Sequence, residues 1–175
     1  KLRTFYYQGR IYYNQGDNEK TMECLVTSIN LGKKSNDIAT KARNYYLQGT
    51  IYLTYYNWEK VAEVSHAAAD NYKVLNKYDN YVFMLCRASE AYAFMGKEES
   101  LKKNLSICEE YFDRISDVSK ARCYSIYLTH LYDELHTDEI PDIISKYVNL
   151  VPANEVDWIT VANLYLHSGD IQSAR

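Results

Sequence analysis

Four cysteines, four histidines and nineteen tyrosines are the side chains of this 175-residue chain best equipped for chemistry, and their spacing limits what that chemistry is. Cys24, Cys86, Cys108 and Cys123 form no CxxC pair, and nothing near them has the spacing of a zinc ligand set. All four fall within predicted helices, where a cysteine behaves as a small apolar residue, so a disulfide framework is not expected. His130, Asp133 and Glu134 stand at i, i+3 and i+4 and would share one helical face. That spacing suits three metal ligands, but it equally suits a solvated polar face, and the expectation is no metal and no cofactor. No glycine-rich phosphate loop, nucleophile elbow or HExxH occurs. The residues propose no reaction, and the chain reads as a protein that is not an enzyme.

The tyrosines carry a different signal. Tyr12, Tyr52, Tyr92 and Tyr132 are each 40 residues apart. Around them the frame repeats: TFYYQGRIYYNQGDNEKT from Thr4 to Thr21, NYYLQGTIYLTYYNWEKV from Asn44 to Val61, and LCRASEAYAFMGKEESL from Leu85 to Leu101. A fixed period of this length is the mark of a repeat architecture. Composition agrees with a folded, helical chain, at 47% hydrophobic and 25% charged residues with only 2 Pro and 6 Gly. A net charge of −3 without clustered Lys and Arg argues against direct nucleic-acid binding. No apolar run is long enough for a membrane span and no signal peptide is present. The sequence begins at Lys1 without Met and stops within a helical pattern, so a longer parent chain is expected. The cellular compartment, cytoplasmic or periplasmic, stays open.

These patterns must sit on helices. The first is predicted over about 2–14, stopped by Gln15-Gly16-Asp17, with Asp17 or Asn18 capping the second. Met22, Leu25, Val26 and Ile29 give the second helix an apolar face. Ser35-Asn36-Asp37 caps a third helix through Tyr55, and Asn57 precedes a fourth with Val61, Val64, Ala68, Tyr72 and Leu75 buried. A fifth carries Phe83, Leu85, Ala88 and Tyr92 and ends at Gly96. The sixth runs over 97–112, the seventh from Ser116 or Asp117 to about Leu135. Pro141 falls in the first turn of an eighth if Asp138 is its cap, where a missing N–H costs little. A ninth spans about 154–167, and Gly169-Asp170 opens a tenth. Short connections make neighbours antiparallel.

The repeats resemble the tetratricopeptide repeat. Trp158, Val161, Ala162, Tyr165, Gly169, Asp170 and Ala174 match that family's pattern best, preceded by Pro152. Phe5, Gly9, Tyr12, Gly16, Asp17, Thr21, Leu25 and Ser28 give a first repeat. Tyr45, Gly49, Tyr52, Val61 and Ala68 give a second, and Leu85, Ser89, Tyr92, Gly96, Leu101, Leu105 and Cys108 a third. The fourth keeps Tyr132 but puts Ser125, Thr129 and Pro141 at signature places, and the spacing from Tyr132 to Tyr165 drops to 33. The second repeat has Tyr56 where the turn glycine belongs. The resemblance implies one all-α domain over 1–175, with repeats at about 2–36, 37–77, 78–115, 116–153 and a truncated 154–175. Its antiparallel helix pairs would stack as a right-handed superhelix, an α-solenoid.

In that family the first helices of successive repeats line a concave groove that holds a peptide or protein segment. The matching positions here are Arg3, Tyr6, Tyr7, Arg10 and Tyr13, then Arg43, Tyr46, Leu47, Thr50 and Leu53. Later repeats supply Phe83, Cys86, Arg87, Glu90 and Phe94, then Ile126, Tyr127, His130, Asp133 and Glu134. Tyrosine beside arginine is the composition of binding hot spots. These residues would otherwise contact an adjoining part of a longer chain. Removing Tyr6 and Tyr46 is expected to weaken capture with little effect on thermal stability, leaving Tyr45, Tyr52, Tyr55 and Tyr56 to architecture. In the branch that grips a chaperone's C-terminal carboxylate, the clamp positions correspond to Tyr6, Arg10, Leu47, Phe83 and Arg87. Only Arg87 fits, so such a receptor is not expected. The resemblance implies a non-enzymatic interaction scaffold, similar to the sensor parts of bacterial signalling or transcription regulators. A peptide-pheromone receptor region and a helical accessory domain of an enzyme are the alternatives.

Overall fold

Every described residue that belongs to regular structure is helical in the computed structural model, which describes residues 1–133, 140–152, 156 and 158–167. In chain order the helices are α1 (Leu2–Asn14), α2 (Asn18–Gly32), α3 (Ile38–Thr54), α4 (Trp58–Val74), α5 (Tyr78–Phe94), α6 (Glu98–Glu109), α7 (Asp117–Asp133), α8 (Ile140–Leu150) and α9 (Trp158–His167). The sixth helix is shorter than its pattern predicts, because a 3₁₀ turn at Phe112–Arg114 follows it. The even helices α2, α4 and α6 open at Asn18, Trp58 and Glu98, so the period of the tyrosines is also the period of the elements. The side chains of Tyr132, Asp133 and Trp158 lie outside the described part, as do Glu134, Asp138, Asn154, Gly169, Asp170 and Ala174. No helix among the described residues is long and apolar enough to cross a membrane.

The chain divides into two compact units, residues 1–104 and 105–175, with the boundary inside α6. In the first unit α1 packs on α2, α3 on α4 and α4 on α5. Side chains fix the helix starts: Asp17 accepts from the Lys20 N–H at 3.0 Å, Asp37 from Thr40 at 3.1 Å and Asn57 from Lys60 at 3.1 Å. Each satisfies an N–H that a helix start leaves without an intrahelical acceptor. Leu25, Leu47 and Ile51 are buried together with Tyr6, while Val61, Ala62 and Ala91 form a second cluster beneath Tyr52, Leu53, Trp58 and Tyr92.

The buried face of α2 differs from the predicted one. Thr21, Leu25, Ser28 and Gly32 are buried, whereas Val26 is exposed. The face is narrow and small because α1 comes close: a Cβ on Gly9 would meet Cys24 Cβ and Leu25 Cδ2 at 3.3 Å each. The hydroxyls on that face are used. Thr21 donates to the Asp17 carbonyl at 2.7 Å, and Ser28 to the Leu2 carbonyl at 2.9 Å. Asn44 Nδ2 donates in turn to Ser28 Oγ at 2.8 Å, so a buried relay links α3 to α2 and α2 to α1.

In the second unit α7 packs on α8, with Pro141 in the first turn of α8. Ile140, Ile143 and Ile144 from α8 meet Leu128 of α7, Val156, and Val161 and Leu164 of α9 in one apolar cluster. Tyr124, Tyr127, Tyr147 and Tyr165 cover its edge, hydroxyl-bearing rings suited to a half-wet border.

Candidate functional site

Two adjacent tyrosines open the site on α1, and the helix sends them to different environments. Tyr6 is 8% exposed and packs with Leu25, Leu47 and Ile51, while Tyr7 beside it is 50% exposed. Their rings meet at 5.3 Å. On α3 the choice falls the other way: Tyr46 is 40% exposed and Leu47 is buried. A one-residue step turns a helix by about 100°, so where only one neighbouring helix covers the arc, one of two sequence neighbours is buried and the other is left to solvent. Tyr6 and Leu47, read from the repeat frame as groove residues, are therefore core, and a Tyr6→Ala change would open a cavity. Arg10 and Arg43 are exposed, and Tyr13 is half-buried against the same core.

Tyr46 is the centre of a cluster that spans α3 and α5. Its ring lies 6.1 Å from that of Phe83, and the Arg87 guanidinium carbon sits 5.2 Å from its centroid. Arg87 Nη1 donates to the Tyr46 carbonyl at 3.3 Å and Nη2 to Thr50 Oγ1 at 3.2 Å. Gly49 leaves room for this, since a Cβ there would stand 3.6 Å from Arg87 Nη1 and 3.2 Å from Val64. Arg87 is only 7% exposed, so its fork holds α5 to α3 rather than reaching into solvent. Tyr72 of α4 belongs to the same neighbourhood. Burial pushes its hydroxyl pKa up, and the charge of Arg43 partly offsets that, with Tyr6 and Tyr46 also within electrostatic reach. The sequence places Tyr72 on a buried face but gives no sign of this company.

Arg3 is tied down. Its Nε donates to Asp37 Oδ2 at 2.6 Å, and the same carboxylate caps α3. The Arg3 hydrogen bond holds the Asp37 carboxyl below the ordinary aspartate range, and the carboxylate raises the Arg3 pKa in return. Glu90 and Leu53 are half-buried, Cys86 is buried, and Phe94 is exposed with its ring stacked on Trp58.

In the second unit Ile126 and His130 are buried and Tyr127 is half-buried against the apolar cluster. The metal-face reading of His130, Asp133 and Glu134 lies partly outside the described residues, and the burial of His130 removes it from a solvated face. Cys24, Cys86, Cys108 and Cys123 carry thiols, not disulfides. Those of Cys108 and Cys123, both buried, lie within 4.8 Å of one another.

On α1 and α3 the predicted residues that face solvent are Tyr7, Arg10, Arg43 and Tyr46, beside Arg3, which Asp37 holds, while Phe94 is exposed on α5. These groups can stack, donate hydrogen bonds and attract acids, and nothing among them is arranged as a nucleophile with its base. No protein-family model, no curated protein and no solved structure matches this chain.

Proposed function

We propose that the chain is a non-enzymatic scaffold of tetratricopeptide-like helix pairs that binds a protein or peptide segment through the exposed aromatic and basic side chains of α1 and α3. The observation that carries this reading is the pairing of two large exposed rings, Tyr7 and Tyr46, with two exposed arginines, Arg10 and Arg43, on helices that pack together. Tyrosine rings supply large contact area at low side-chain entropy cost, and arginine adds stacking and multiple hydrogen-bond donors. Two features support the tetratricopeptide-like reading: the 40-residue recurrence of helix starts and the small residues Gly9 and Gly49 at the close helix approaches. The place of such a scaffold within a bacterial regulator is part of the same proposal.

Capture from lysate of the source cells tests it, with wild type compared against Tyr7→Ala/Tyr46→Ala. The double variant should fold with a nearly unchanged melting temperature and lose the captured partner. Equal capture by both proteins would remove the α1–α3 surface from the function. An acidic peptide ending in a free carboxylate should not bind by way of Arg87, whose guanidinium is already engaged with Tyr46 and Thr50. Binding that disappears in Arg87→Ala at unchanged stability would reverse that statement.

A further inference from the structure

The turn between α3 and α4 is built unlike its counterparts one period away. Gly16 and Gly96 close those turns at φ +78° and +65°, in the left-handed region that glycine enters without strain. Tyr56 occupies the same place at φ +53°, where a Cβ crowds the backbone. Packing does not account for it, because the Tyr56 side chain is 75% exposed.

What the ring does instead is face its neighbours. Tyr56 meets Trp58 edge-on at 5.9 Å, and Trp58 stacks on Phe94 at 4.2 Å with the planes 9° apart. Tyr55, at 63%, is exposed as well. Tyr55, Tyr56, Asn57, Trp58, Glu59 and Met95 line an open depression of about 410 Å³. Glu59 is the charged side chain of that lining. The adjacent Lys60 is held by Glu63 at 2.6 Å, and Asn57 is occupied capping α4.

We infer that this depression binds the guanidinium of an arginine presented by a peptide or protein partner, laid on the rings of Tyr55, Tyr56 and Trp58 with the Glu59 carboxylate beside it. Aromatic faces carry negative potential and attract a cation, and the single lining charge is also negative. The walls form an open platform rather than a cage, which suits a planar guanidinium better than a spherical ammonium. A backbone conformation that costs energy and leaves its side chain in solvent is the kind retained at contact sites. The inference stands independently of the α1–α3 surface.

Titration of isotope-labelled protein with an acetylated, amidated Gly-Arg-Gly peptide, followed by NMR, tests it. The Trp58 indole N–H and the amides of residues 55–59 should shift at millimolar peptide. The citrulline analogue, equally planar but uncharged, should bind about tenfold more weakly. Tyr56→Gly should weaken binding without lowering the melting temperature, and Glu59→Gln should weaken it and flatten its salt dependence. Tyr7→Ala should leave the titration unchanged. Equal binding of the citrulline peptide would overturn the proposal, since a neutral stacking surface does not select a guanidinium. Absence of shifts at Trp58, or full binding by Tyr56→Gly, would overturn the proposal outright.

Discussion

A tyrosine in the left-handed region sets two local terms against each other. Relief of the Cβ clash at Tyr56 is worth about 1–2 kcal/mol, and glycine there gives back part of it through a freer unfolded chain. The edge contact with Trp58 offsets some of the remainder. Tyr56→Gly is therefore expected to hold stability or raise it by up to about 1 kcal/mol, read as the denaturant midpoint. A clear loss would mean that the ring is structural. Asp37 supplies a second residue-scale prediction. Its folded pKa is depressed, mainly by the Arg3 hydrogen bond, so its stabilisation is present above the unfolded pKa and is lost as pH falls through the folded one. Asn caps helices as well as Asp does, so Asp37→Asn should keep α3 capped while removing this residue's share of the acid-limb dependence below about pH 4. Asp37→Ala should also cost about 1 kcal/mol of cap, measurable at pH 7.

Helix pairs depend on how closely their axes approach. At Gly9 the facing atoms of α2 stand at 3.3 Å from an added Cβ, and a larger side chain has nowhere to go. Gly9→Leu should destabilise by about 1–3 kcal/mol through overpacking, seen as a lower midpoint at unchanged helicity of the native state. Tyr6 makes the opposite case. The repeat frame reads it as a surface residue, but its burial against Leu25, Leu47 and Ile51 means that Tyr6→Ala should cost about 3 kcal/mol. Tyr7→Ala, one residue on and half exposed, should cost little and act on binding instead. Thermal melts of the two single variants separate the cases.

Across the molecule, the described helices form two compact units, and the surfaces offered for binding belong to the first. Its exposed rings fall into two groups, Tyr7 with Tyr46 and Tyr55 with Tyr56 and Phe94, and each calls for a different test. Charge reversal of Arg10 and Arg43 to Glu should slow association with an acidic partner and invert its salt dependence, so that added salt speeds it, which binding kinetics at two ionic strengths would show. The same reversal should leave the arginine-peptide titration unchanged.

Helix existence, type and period were legible in the residues alone. Low Pro and Gly content, the Asp17, Asp37 and Asn57 caps, and the recurrence from Tyr12 to Tyr92 are local signals, and local signals survive without a partner. The choice between Tyr6 and Tyr7, or between Tyr46 and Leu47, was not legible. All four fit the apolar side of a helix, and only the direction from which the next helix approaches decides which are covered. The same holds for Val26, apolar in sequence and exposed in space, and for Arg87, read as a groove cation and buried between α3 and α5. Tyr56 sits between the two cases. Its place in a glycine turn was visible in the sequence, but its role as one wall of an aromatic depression required Trp58 and Phe94 to be brought beside it by packing. Periodicity determined the elements, and burial, a property of pairs of elements, decided which of their side chains remain to meet anything else.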